Sequence, residues 1–260
     1  MDVEEILKKG RSYPENFFYG DVSKIGKIYE LPEGLFLLVR TSTENELLWG
    51  ANTIDDLKRG LETVEKDGTD FIFRYAGNFN DVMEKKDIIS RWGYRVKCVH
   101  VGYYLDMENR RFQTKNMHFI EELKEKDIEE FLDLERTIFD SFNVTKNELT
   151  KWINSDESIV LVNKINGKLK GFIVINIYGA GKKSCLIRNI GVAESERRKG
   201  IGKELLLKGL QRAKEKGVKT AMLWVEIENT AARRLYERTG FILDQNEAEA
   251  VFLGRQISSF

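Results

Sequence analysis

The segment that most restricts the fold is Leu186–Gly202, LIRNIGVAESERRKGIG. Alternating apolar residues predict a strand over Cys185–Val192. The strand runs into a loop of cations and glycines, and a helix over Gly202–Lys216 follows at once. Leu206, Gly209, Leu210 and Ala213 share one face of that helix, and Gly217 lies past its end. A helix start leaves its first N–H groups unpaired, and its macrodipole is positive there. Gly200 and Gly202 have no side chain to keep a ligand off the main chain. Such a turn is suited to hold a pyrophosphate. From Glu194 to Lys216 there are eight Lys/Arg against four Glu, a local net of +4 in a chain whose 42 Lys/Arg balance 42 Asp/Glu. Read alone, the same pattern also describes an ordinary strand-to-helix turn with a solvated basic face.

A second motif lies downstream: Asn229-Thr-Ala-Ala232-Arg-Arg-Leu235-Tyr236, closed by Gly240-Phe241. Ala232, Leu235 and Tyr236 stand at i, i+3 and i+4, on one helical face. Small Ala232 allows close approach to the preceding strand. Tyr236 carries a hydroxyl into a largely apolar face; a core tyrosine with a satisfied hydroxyl is the plainer reading.

The order and separation of Arg197-x-x-Gly200-x-Gly202 and Asn229-x-x-Ala232-x-x-Leu235-Tyr236 resemble the two acetyl-CoA motifs of the GNAT acetyltransferase superfamily. The resemblance covers Met117 to Arg255. It implies a mixed, mostly antiparallel sheet flanked by helices, in the order strand, two helices, three strands, helix, strand, helix, two strands. The sequence predicts elements in that order. They are a strand over Met117–Leu123, a helix over Asp127–Phe142, a helix over Thr145–Asn154, and strands Ser158–Lys164 and Leu169–Tyr178 about an Asn166-Gly167 turn. Strand Cys185–Val192 and helix Gly202–Lys216 follow. Then come strand Thr220–Glu226, helix Thr230–Thr239, and closing strands Phe241–Asp244 and Ala250–Arg255.

The resemblance also assigns residues. Ile190, Gly191 and Val192 would pair with the pantetheine arm of acetyl-CoA as an added strand. Arg197 opens the loop, and the amides of Arg198, Lys199, Gly200, Ile201, Gly202 and Lys203 would hold the pyrophosphate. Asn229 would touch the cofactor arm. Tyr236 matches the tyrosine beside the thioester sulfur. The chemistry implied is direct attack of a primary amine on the acetyl group. A main-chain amide near Ile190 would stabilise the oxyanion and Tyr236 would protonate the leaving thiolate. No enzyme nucleophile is needed. Two carboxylates compete for the amine side. Glu226 closes its strand and faces either the cleft or bulk water. Glu135 lies on the apolar stripe of Ile128, Phe131, Leu132, Phe139 and Phe142, where a carboxylate is costly unless paired; it either meets the substrate amine or sits at an exposed rim. The alternative function is a noncatalytic acyl-CoA-binding sensor.

Upstream, the polar segment Asp106–Asn116 suggests a division into 1–112 and 113–260. The first part repeats the order helix (Ile54–Lys66), strand (Asp70–Ala76), helix (Asp81–Trp92), glycine-aromatic (Gly93-Tyr94), strand (Tyr94–Leu105). We read it as a smaller, related α/β domain, a degenerate GNAT-like half. Its loop Gly50-Ala-Asn-Thr-Ile-Asp-Asp has acids in place of cations, and Ile89 stands where Tyr236 would.

Composition narrows the rest. Cys98 and Cys185 cannot build a disulfide framework, and His100 and His118 have no metal-ligand spacing, so no metal is expected. Zero net charge argues against nucleic acid as a partner. No apolar run spans a bilayer and no signal peptide opens the chain, so no membrane partner and a cytoplasmic location are expected. The expected partner is a small-molecule or peptide amine.

Overall fold

The computed structural model describes residues 3–19, 22, 24–41, 44–114, 119–139 and 144–254. In chain order the elements are α1 Val3–Arg11, β1 Glu15–Phe17, β2 Ile25–Leu31, β3 Gly34–Arg40, β4 Asn45–Ala51, α2 Ile54–Glu65, β5 Ile72–Gly77, α3 Phe79–Arg91 and β6 Arg95–Asp106. Then follow β7 Ile120–Glu122, α4 Ile128–Ile138, α5 Lys146–Ile153, β8 Ser158–Ile165, β9 Lys168–Tyr178, β10 Ser184–Val192, α6 Ile201–Glu215, β11 Thr220–Glu226, α7 Thr230–Thr239 and β12 Ile242–Leu253. Two compact units result. One holds residues up to Val101 with Glu226–Glu228 and the chain from Asp244 on; the other holds Gly102–Val225 and Asn229–Leu243.

The second unit is built on β9. Its Phe172, Ile173, Val174 and Ile175 are wholly buried, as a strand covered on both faces must be. It pairs antiparallel with β8 through the predicted turn, where Asn166 and Gly167 have φ of 51° and 78°. Those left-handed values are what a tight hairpin needs, and Asn-Gly supplies them at low cost. The sheet order is β11-β10-β9-β8-β7. On one face α4 packs Phe131 onto Phe172, ring centroids 4.5 Å apart. On the other α6 approaches so closely that a Cβ on Gly209 would lie 2.7 Å from Ile175 Cδ1. The α5 helix starts with a full capping box between Thr145 and Glu148.

In the first unit the order is β2-β3-β4-β5-β12, with β1 also paired to β4. Phe73 stacks on Phe252 at 5.0 Å and meets Tyr94 edge-on at 5.2 Å. Between parallel β4 and β5 runs α2, capped by Thr53. The run β4–α2–β5–α3–β6 therefore repeats β10–α6–β11–α7–β12, a strand–helix–parallel strand unit in each case. We propose the linear division 1–112 and 113–260 at the polar segment Asp106–Asn116. Spatially, residues 244–254 pack with the first unit.

Three expectations change. The closing strands are one, β12; the polar run Asp244–Glu247 that suggests a break stays extended, and from Ala248 the strand pairs with β5. The helix expected to reach Phe142 ends at Ile138, with Phe139 extended (φ −123°, ψ 120°). Elements α1, β1 and β2 were not anticipated. Met117, His118, Asn116, Phe142 and Arg255 lie outside the described residues.

Candidate functional site

The site grows from a strand that loses its neighbour. Strand β10 pairs with β9 along its length, but parallel to β11 only at Ser184–Thr220, Cys185–Ala221 and Leu186–Met222. From Ile187 onward its second edge has no β11 partner, so the main chain of Ile190, Gly191 and Val192 borders a gap. A bulge at Arg188 shifts the β9 register between Ile187 and Asn189. A bulge bends its strand and re-aims the groups that follow. The extra residue, Arg188, points its guanidinium over Trp152, 5.1 Å from the ring centroid. Sequence inspection missed this bulge, because nothing in the alternation of LIRNIG marks one residue as surplus.

Past Val192 the chain makes a single helical turn over Glu194–Glu196. Arg197 Nε then donates back to the Val192 carbonyl at 3.2 Å, which pins the loop to the strand end. Arg198 is left-handed (φ 65°), and Gly200 caps α6 at φ 89°, ψ −5°. The first helical bond runs from the Glu204 amide to the Gly200 carbonyl at 3.1 Å. The amides of Arg198, Lys199, Gly200, Ile201, Gly202 and Lys203 donate to no acceptor among the described residues. Six consecutive free N–H groups beside a positive helix end make a strong anion cradle. A Cβ on Gly202 would rest 3.7 Å from Leu235 Cδ2 and Val192 Cγ2, an ordinary contact. Packing therefore does not require glycine there.

Asn229 caps α7, its Oδ1 accepting from the Ala232 amide at 3.1 Å. Tyr236 is 5% exposed, edge-on to Phe241 at 5.9 Å. Its hydroxyl makes no hydrogen bond among the described residues, and it is not one of the fully buried unpaired atoms. Burial pushes its pKa up to about 12, so it carries its proton at neutral pH. The helix is fixed laterally: Tyr103 on β6 donates to Glu237 at 2.8 Å and accepts from Arg233 Nε at 3.1 Å.

Glu135 faces inward with Ile128, Phe131 and Leu132 and is 0% exposed. The exposed-rim reading is thus overturned. Neither carboxylate oxygen makes a well-formed hydrogen bond among the described residues, although the Val144 amide lies close enough to favour the charged form. Burial raises its pKa, and the Val144 amide and Arg136 offset only part of that. One turn further, Ile138 lies against the bare main chain of Gly191. Glu226, by contrast, is exposed.

The corresponding place in the first unit is filled. Strand β4 leaves β5 after Glu46–Ile72 and Leu47–Phe73, and β1 then pairs antiparallel with Trp49, Gly50 and Ala51. The Trp49 indole donates to the Arg74 carbonyl at 2.7 Å, across the β4–β5 gap. Asp55 and Asp56 stand at the start of α2, and Thr53 already accepts from Asp56 N–H. A pantetheine-like strand and a diphosphate have no room or charge match there.

The Acetyltransferase (GNAT) family profile matches residues 120–241. An N-acetyltransferase of Methanocaldococcus jannaschii is 31% identical over 149 residues, 52% of this chain and 66% of its own length. Residues 120–241 are thus similar to the GNAT acetyltransferase family. Its fold is found in a GNAT N-acetyltransferase of Sphaerobacter thermophilus, with a TM-score of 0.62 at 14% identity, covering 85% of this chain and 76% of that one. A tandem GNAT protein from the clavulanic acid biosynthesis pathway gives 0.57 at 9% identity, covering 85% and 79%. The chain spans just under two thirds of the archaeal relative's length. Among the described residues, no helix is long and apolar enough to cross a membrane.

Proposed function

We propose that the protein transfers an acetyl group from acetyl-CoA to a primary amine of a small molecule or peptide. The reading rests above all on the six unpaired amides of Arg198–Lys203 next to the unpartnered edge of β10. The amides receive the diphosphate. The free edge at Ile190–Val192 receives the pantetheine amides as an added strand, which aims the thioester at the bulged segment. A neutral amine attacks the acetyl carbonyl. Its oxygen gains charge and is met by a main-chain N–H near Ile190. The C–S bond breaks, and the thiolate takes the Tyr236 proton. The Tyr236 hydroxyl keeps its proton at neutral pH and so has one to give to the thiolate. The Val144 amide and Arg136 meet only part of the Glu135 demand for a donor or cation, and the acceptor ammonium supplies the rest; its raised pKa suits proton acceptance.

Acetyl-CoA with a panel of amines, read by thiol release, tests the reading. Tyr236→Phe should lower kcat about a hundredfold with little change in KM. Unaltered kcat removes Tyr236 as the acid. Tight acetyl-CoA binding without turnover on any amine would favour the noncatalytic sensor.

A further inference from the structure

Cys98 and His100 are two residues apart on β6, so their side chains emerge on the same face. The next strand brings a third donor. The Ile227 amide donates to the Val99 carbonyl at 2.8 Å, which sets Glu226 across from His100. His100 Nε2 is 3.9 Å from Glu226 Oε1, and Nδ1 is 3.9 Å from Cys98 Sγ. One donor atom from each of the three lies within 4.8 Å of the others.

We propose that Cys98, His100 and Glu226 form a binding site for a divalent transition-metal ion, zinc by the nature of the donors. Thiolate, imidazole and carboxylate together suit a borderline ion and not calcium or magnesium. Zinc bond lengths at tetrahedral angles put neighbouring donors about 3.4–3.6 Å apart. With Nε2 as the ligand nitrogen, Glu226 Oε1 at 3.9 Å needs a small adjustment, and Cys98 Sγ, which faces Nδ1 at 3.9 Å, must turn toward Nε2. The second ring nitrogen, Nδ1, lies 3.7 Å from Glu249 Oε1, an ion-pair distance from which that carboxylate can orient the ring. Glu249 is in turn held by Arg74 Nη1 at 2.6 Å, and Arg74 also grips Glu46 at 2.5 Å. Cys98 and His100 are half-buried and Glu226 is exposed, which gives an ion a route from solvent. Three protein donors leave a coordination position for water or a ligand. Binding releases the Cys98 thiol proton to solvent. None of the residues assigned to cofactor binding, nor Tyr236 or Glu135, belongs to this cluster.

The test is titration of the untagged, reduced, full-length protein with cobalt(II) chloride, followed by zinc competition. One equivalent should bring a near-ultraviolet thiolate-to-cobalt band and intense visible bands of a four-coordinate ion, both erased by zinc. Cys98→Ser should abolish the near-ultraviolet band and Glu226→Gln should weaken binding at least tenfold. Glu249→Gln should weaken it about 10–100-fold without removing a ligand. Cys185→Ser should leave the spectrum as it is. No cobalt bands at millimolar metal, or a thiolate band that survives in Cys98→Ser and vanishes in Cys185→Ser, would overturn the proposal. Circular dichroism of each variant separates loss of the site from loss of the fold.

Discussion

Replacement of Gly202 by alanine separates two reasons for having a glycine. Gly202 is the second residue of α6, and its φ is not in the left-handed region. Alanine at such a position is favoured over glycine by up to about 0.5–1 kcal/mol, because less backbone entropy is lost. The new methyl would meet Leu235 Cδ2 and Val192 Cγ2 at 3.7 Å, with nothing closer. Gly202→Ala should therefore unfold later than the parent, by roughly 1–4 °C in a chain of this size. The same methyl intrudes where the diphosphate must approach the amides. Acetyl-CoA affinity should fall at least tenfold, about 1.4 kcal/mol. Differential scanning calorimetry without ligand and isothermal titration with acetyl-CoA read the two effects separately. Gly200→Ala is the contrast: at φ 89° it costs about 1–2 kcal/mol before any ligand is added. A Gly202→Ala protein that is stabilised and still binds acetyl-CoA with the parental Kd would refute the cradle.

Glu135→Gln removes a buried charge. Folding raises the Glu135 pKa above its ordinary 4.5, so its stabilising contribution is complete below that value and is lost as pH rises through the folded pKa. The variant should gain about 1 kcal/mol near neutral pH and nothing below pH 4.5 in urea unfolding, while its acetyl-transfer rate drops at least tenfold. Titration should find one acetyl-CoA per chain; two would contradict a first unit whose β4–β5 gap is closed by β1 and Trp49. Lys214 Nζ donates to the carbonyls of Met107, Glu108 and Arg110 at 2.7, 2.9 and 2.6 Å. Lys214→Met should cost about 1–2 kcal/mol in denaturant unfolding. Tyr103→Phe loses its bond to Glu237, should cost about 1 kcal/mol and should loosen α7, seen as faster amide exchange there.

Local chemistry wrote much of this protein into its sequence. Short apolar runs set β8, β9 and β10, and Asn166-Gly167 set the turn between β8 and β9, because both depend on neighbours a few residues away. The RRKGIG turn and the Asn229–Tyr236 helix were likewise legible, since a helix start and a face at i, i+3, i+4 are properties of consecutive residues. Tertiary contacts decided the rest. A bulge exists only against a partner strand, so Arg188 gave no sign of its role. Long-range pairing joined Ala248–Leu253 to β5 and seated Glu15–Phe17 in the gap of the first unit. Burial decided Glu135: its stripe position suits either a rim or a core, and only the packing of α4 on Phe172 withdrew it from water. Glu226 is more than 120 residues of chain from Cys98 and His100, and only the β6–β11 pairing makes them neighbours.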